Sequence, residues 1–109
     1  MEDRILVSYL YDFYSLLLTE KKRNIFEMYY FNDFSLNEIA MENNITKQAV
    51  RDSLVKTVDM LKNYESKLML YDKFSKRNIR LEMLCDIIDD LPVSSGTKND
   101  ILDIVKSIE

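Results

Sequence analysis

The stretch Ser35-Leu36-Asn37-Glu38-Ile39-Ala40-Met41-Glu42-Asn43-Asn44-Ile45-Thr46-Lys47-Gln48-Ala49-Val50-Arg51 decides the fold. Ser35 and Glu38 have the spacing of a capping box, in which the hydroxyl takes the backbone N–H three residues on and the carboxylate reaches back. They predict a short helix over residues 36–42, with Leu36, Ile39 and Ala40 inward. Asn43-Asn44 suits a turn, because Asn tolerates left-handed dihedrals. Thr46 is a second hydroxyl cap, and a further helix opens at Lys47. Two helices joined by three or four residues form a helix-turn-helix. Ala40 is small where the two cross, and Ile45 and Val50 fill the angle between them.

The second helix of such a motif projects its opposite face outward. Behind the capping Thr46, that face carries Lys47, Gln48 and Arg51. These types suit base edges: Arg or Lys for guanine, Gln for adenine. Lys56 and the group Lys21, Lys22 and Arg23 are candidates for phosphate contacts. Asp52 sits on or near the same face and would repel phosphates. The motif is also a common packing unit in all-α proteins, so the pattern leaves a purely structural role open.

Upstream, residues 3–18 read as a helix, with Leu6, Tyr9, Leu10, Phe13, Leu16 and Leu17 on one face. Thr19 offers a cap for the next helix, which runs to about Phe31 and buries Ile25, Phe26, Tyr29 and Tyr30. Nine of the twelve aromatic residues lie between Tyr9 and Phe34. Their spacing follows helix faces, which favours a core of large rings over a platform for stacking bases.

Downstream, Val50, Leu54, Thr57, Leu61, Tyr64, Leu68 and Tyr71 alternate spacings of four and three, a heptad seam. No Gly or Pro interrupts it, so the spacing predicts one helix of about 25 residues, about 38 Å long. A three- or four-helix core does not cover that length. The far part of the seam, Leu61, Tyr64, Leu68, Tyr71 and Phe74, therefore needs another helix. It could come from the same chain or from a second copy. A following helix over about residues 72–91 carries a stripe of Ile79, Met83, Leu84, Ile87 and Ile88, and Pro92 stops it. Ser94-Ser95-Gly96-Thr97 is the one flexible composition. A last helix over about residues 98–108 presents Ile101, Ile104, Val105 and Ile108. The expectation is an all-α protein and a dimer. Residues 1–60 would form the helix-turn-helix domain, 61–91 a helical extension for dimerisation and 92–109 a short C-terminal helix, all within a single structural unit.

Composition narrows the chemistry. The chain has 109 residues, 47% hydrophobic and 31% charged, a globular balance. One Gly and one Pro are too few for the turns of a β-sandwich or for Gly-rich phosphate loops. The absence of His removes imidazole triads and zinc-His sites. Cys85 is the only Cys, so it has no disulfide or metal-site companion, and it reads as structural and inert. Asp86, Asp89 and Asp90 read as a solvated acidic face, and no nucleophile, base and oxyanion donor converge. No catalytic residue, metal or cofactor is expected, and the chain does not read as an enzyme. Apolar runs reach four residues, far short of the roughly 20 of a membrane helix. The charged start lacks a signal-peptide core. A cytoplasmic location without membrane insertion is the expectation.

The net charge is −4, and its distribution is uneven. Residues 1–45 carry 4 basic and 8 acidic side chains, residues 46–82 carry 9 and 5, and residues 83–109 carry 2 and 6. An acidic protein thus holds a basic middle. That middle is either a set of solvated helix faces or a footprint for nucleic acid or an acidic partner.

The segments Leu18-Thr19-Glu20-Lys21, Phe34-Ser35-Leu36-Asn37-Glu38-Ile39-Ala40 and Ile45-Thr46-Lys47-Gln48-Ala49-Val50-Arg51 resemble region four of bacterial sigma factors. The stretch Tyr9-Leu10-Tyr11-Asp12-Phe13-Tyr14-Ser15-Leu16-Leu17-Leu18-Thr19-Glu20-Lys21 is similar to the start of the YlxM family. Gln48-Ala49-Val50-Arg51-Asp52 and Tyr64-Glu65-Ser66-Lys67-Leu68-Met69-Leu70-Tyr71 fit it too. The resemblance implies a small helical dimer with a sigma-region-four-like helix-turn-helix. It also implies a regulatory or accessory part in the signal recognition particle pathway, with DNA, the particle's RNA or its GTPase as partner. Carried onto this chain, the reading positions fall on Lys47, Gln48, Ala49, Arg51 and Asp52. Ala49 and Asp52 depart from the sigma pattern, by removing contacts and adding a repulsive one. Two functions follow as expectations. One is a nucleic-acid-binding regulator. The other is a protein-interaction module or RNA-binding accessory factor, with the motif as scaffold and Lys73, Lys76, Arg77 and Arg80 docking an acidic partner.

Overall fold

The computed structural model describes residues 3–108. Among these, six α-helices and one 3₁₀ turn account for the regular structure: α1 (Arg4–Tyr14), the 3₁₀ turn Ser15–Leu17, α2 (Glu20–Tyr30), α3 (Leu36–Asn43), α4 (Lys47–Leu68), α5 (Leu70–Asp89) and α6 (Ser95–Lys106). No strand occurs among the described residues, as the all-α expectation requires. Two compact units divide between Tyr71 and Asp72. Residue 60, where a domain boundary was expected, lies inside α4.

In the first unit, α4 is the central strut, packed against α1, α2 and α3. Val50, Leu54, Val58 and Leu61 of α4 meet Ile25, Phe26 and Ile39, all essentially inaccessible to solvent. Helices α1 to α4 each start at a capping side chain. Asp3 accepts from the Ile5 N–H, Thr19 from Lys22, Ser35 from Glu38 and Thr46 from Ala49. Such caps satisfy donors that the first turn leaves orphaned. The Ser35–Glu38 capping box is complete, and the Ser35 backbone N–H holds the Glu38 carboxyl below the usual carboxylate range. At the far end of α2, Arg4 donates to the Tyr29 and Tyr30 carbonyls, at 3.1 Å each, and lies over both rings. A cation there complements the orphan carbonyls of a helix C-terminus.

Two expectations about helix faces are corrected. On α1 the buried stripe is Val7, Leu10, Tyr11 and Tyr14, while Leu6, Tyr9, Leu16 and Leu17 are exposed and Phe13 is half-buried. Apolar residues surround α1, so two stripes fit the helical period. The stripe with Tyr11 and Tyr14 goes inward, where the Tyr11 ring stacks on Phe26 with centroids 4.4 Å apart and the Tyr14 hydroxyl donates to Glu65. Leu16 and Leu17 belong to the 3₁₀ turn and follow no α-helical face.

The heptad seam is not one helix. α4 ends at Leu68, Met69 takes the left-handed conformation (φ 54°), and α5 starts at Leu70. Val50, Leu54, Thr57 and Leu61 are buried within their own chain, and Tyr64 is half-buried. Leu68 is exposed. Tyr71, on the next helix, stacks on Tyr9 with ring centroids 5.4 Å apart and meets Phe13 edge-on. Leu61, expected at a helix seam, is thus sealed inside a single chain.

In the second unit, α5 and α6 bury Ile88 and Val105, while Ile79, Met83, Leu84, Ile87 and Ile104 remain exposed. Phe74 is half-buried and Ile101 is too. The Ser94–Thr97 segment is not a flexible linker. Ser94 caps α6 by accepting from the Thr97 N–H, and Gly96 lies in the first turn.

Candidate nucleic-acid interface

The turn between α3 and α4 is three residues long, Asn44 to Thr46. Asn44 adopts the left-handed region (φ 54°), and its N–H reaches back to the Ala40 and Met41 carbonyls. The Ile45 N–H donates to the Ala40 carbonyl at 3.0 Å, which draws the chain back over the end of α3. Asn43 Nδ2 donates to the Ile39 carbonyl at 2.8 Å. These bonds close α3 without Gly, since Asn pays little for positive φ. Ala40 is buried at the crossing and Ile45 is half-buried beneath the turn.

The turn aims the first two turns of α4 outward. Lys47, Gln48 and Arg51 are exposed on the first unit. Thr46 is exposed as well, but its hydroxyl accepts from the Ala49 N–H at 3.0 Å. Thr46 therefore sets the direction of the helix axis. Gln48 Nε2 donates to Asp52 Oδ1 at 2.9 Å, one turn along. The outer face thus has two rows at helical spacing. Lys47, Arg51 and Val55 form one, and Gln48, Asp52 and Lys56 form the other.

A groove of about 690 Å³ runs between this face and the start of α2. Its rim carries Lys21, Lys22, Arg51 and Lys56, opposed by one carboxylate, Asp52. Its floor is apolar, with Ile25, Ile45 and Ala49, and Thr19 and Ser53 add hydroxyls. Lys21 and Lys56 are exposed, and Lys22 is half-buried. The groove gathers two cations from residues 21–22 with two from residues 51–56, about thirty positions later. A cationic rim of this kind suits an anionic backbone.

Arg23 does not join that rim. Its Nη1 donates to the Leu18 carbonyl at 2.8 Å and to the Ser15 carbonyl at 3.4 Å, closing the 3₁₀ turn. Its sequence neighbours Lys21 and Lys22 made it look like part of one basic cluster, but residues two apart on a helix point to different faces.

Thr19, Ser53 and Val55 line the groove and were not anticipated. Val55 stands four residues after Arg51, so the helical period that selected Arg51 also selects Val55. Its apolar character hid it. Along α5, Lys73, Lys76, Arg77 and Arg80 are exposed, and Lys76 pairs with Asp72 at 3.0 Å. Among the described residues no cluster of carboxylate or thiol groups could hold a metal ion, and no helix is long and apolar enough to cross a membrane.

Comparison with known proteins places these features in company. A family model described as "Putative helix-turn-helix protein, YlxM / p13 like" (UPF0122) matches residues 1–104. A UPF0122 protein of Halalkalibacterium halodurans is 38% identical over 109 residues, covering 100% of this chain and 96% of its own length. One of Oceanobacillus iheyensis is 50% identical over 78 residues, 72% of this chain and 74% of its own. One of Staphylococcus carnosus is 48% identical over 84 residues, 77% of this chain and 76% of its own.

Proposed function

We propose, from the premise that this chain belongs to the UPF0122 family of YlxM / p13-like helix-turn-helix proteins, that it is a regulatory protein that binds duplex DNA through α4. Lys47, Gln48 and Arg51 face the base edges, and Lys21, Lys22 and Lys56 hold the phosphate backbone. The observation that carries this reading is the exposure of the three reading residues beside a groove rimmed by four cations. The protein is at work in the cytoplasm, where the resemblance to YlxM proteins supports an accessory part in the signal recognition particle pathway.

A binding titration across salt tests the reading. With about three to five phosphates neutralised, the log–log slope on duplex DNA is about −3 to −5. Replacing Lys21 and Lys22 together by Ala removes about two of those charges and makes the slope shallower by about 2. Weak binding that does not respond to salt would refute it.

A second reading, a protein-interaction or RNA-binding accessory factor, is favoured by α5. Lys73, Arg77 and Arg80 are exposed there beside Ile79, Met83 and Ile87. The particle's RNA or GTPase would be its partner. Charge reversal at Lys76 and Arg77 that abolishes activity, while Lys47→Ala with Arg51→Ala leaves it intact, selects this reading. The exposed apolar residues of α5 also support a homodimer. Sedimentation at micromolar concentration tests that, and a monomer rejects it.

A further inference from the structure

The Gln48–Asp52 hydrogen bond lies on the exposed outer face of α4. A carboxylate on a surface that meets a polyanion weakens every backbone contact near it. Lys56 shares the groove with Asp52, yet the 2.9 Å partner of Asp52 is the neutral amide of Gln48.

We infer that Asp52 is a positioning residue for base readout, holding the Gln48 amide in the orientation that recognises adenine. This rests on the proposed binding of duplex DNA. The Gln48 amide has two N–H groups and one carbonyl oxygen. One N–H goes to Asp52, which fixes the plane of the amide. The carbonyl oxygen and the second N–H remain. They form the acceptor–donor pair that adenine's N6 amino group and N7 require in the major groove. A long flexible side chain loses less freedom on binding when its rotamer is already held. The carboxylate also disfavours docking in which this face lies on phosphates, so specificity comes from repulsion as well as attraction.

The Lys47–Arg51 row is complementary. Those cations attract the backbone or guanine on any duplex, whereas the Gln48–Asp52 row penalises a duplex that offers it no amino group. Both residues are exposed, so their substitution leaves the core untouched.

Selection from a randomised duplex library, followed by titration of the enriched sequence and its single-base variants, tests the inference. The wild-type chain prefers adenine at one position by about tenfold. Gln48→Ala loses that preference. Asp52→Ala binds random duplex about two- to threefold more tightly, having lost a repulsive charge, and its preference for adenine falls towards none. Asp52→Asn binds random duplex more tightly too, but keeps the preference, because its side-chain oxygen still accepts from Gln48. Undiminished preference in Asp52→Ala, or in Gln48→Ala, would overturn the inference. Duplex binding without any preference for adenine at a fixed position overturns it while leaving the regulator reading standing. No salt-dependent duplex binding at all defeats both.

Discussion

The Tyr14 hydroxyl donates to Glu65 Oε1 at 2.6 Å, joining α1 to the end of α4 across 51 residues of chain. The same two groups serve α5. Tyr14 Oη accepts from the Leu70 N–H at 3.1 Å, and Glu65 Oε1 accepts from the Tyr71 N–H at 3.0 Å. They supply partners for two of the orphan donors at the start of α5, immediately after the left-handed Met69. This staple fixes where the long apolar seam breaks.

Tyr14→Phe should therefore destabilise the first unit by about 1–2 kcal/mol, since the Leu70 N–H loses its acceptor and a charged acceptor loses a short bond. Denaturant unfolding measures the loss, and amide exchange at Leu70 should accelerate. A change within error would mean that water replaces the phenol at no cost.

Stability should fall in strong alkali. Burial, then the hydrogen bond with Glu27, pushes the Tyr11 phenol from its ordinary 10 up to about 12. Burial, then the Glu65 bond, raises Tyr14 as well. The folded state thus holds phenol protons that the unfolded chain releases above pH 10. The contribution is complete below pH 10 and is lost as pH rises towards 12. For Tyr11 it amounts to about 3 kcal/mol at most. Unfolding midpoints between pH 9 and 12 should drop, and Tyr11→Phe should flatten the drop. An unchanged slope in that variant would assign the alkaline sensitivity elsewhere.

Thr57 is 1% exposed, and its hydroxyl has no hydrogen-bond partner among the described residues. Thr57→Val keeps the shape and removes a desolvated polar group, so it should stabilise the protein by about 1 kcal/mol. A lower midpoint on unfolding would show that the hydroxyl is satisfied in solution.

Thr46 is a helix cap before it is anything else. Thr46→Ala should cost about 1 kcal/mol of stability, and Thr46→Ser should recover most of it. Duplex affinity should follow the same order, because the cap sets the axis along which Lys47 and Arg51 point. Full affinity in a destabilised Thr46→Ala variant would separate the cap from binding.

The motif itself was legible in the sequence because its signals are local. Ser35 with Glu38, the Asn43-Asn44 pair and Thr46 each act within four residues, and each does in the structure what its chemistry predicts. The periodic positions Val50, Leu54, Thr57 and Leu61 are buried for the same reason. Exposure of Lys47, Gln48 and Arg51 follows from the helical period once that buried face is fixed.

Tertiary structure decided what local pattern leaves degenerate. Two apolar stripes fit α1, and the one brought inward is the one whose Tyr11 packs on Phe26 and whose Tyr14 reaches Glu65. A heptad continues in the sequence from Val50 to Tyr71, yet the helix stops at Leu68. Left-handed backbone at a non-Gly residue such as Met69 costs about 1–2 kcal/mol, and the offsetting bonds come from Tyr14, more than fifty residues earlier. Likewise Arg23 turns to the Leu18 carbonyl, while Lys21 and Lys22 meet Arg51 and Lys56 around one groove. Hydrogen bonds and charges that act between distant segments leave no periodic mark on the chain, so only folding reveals them.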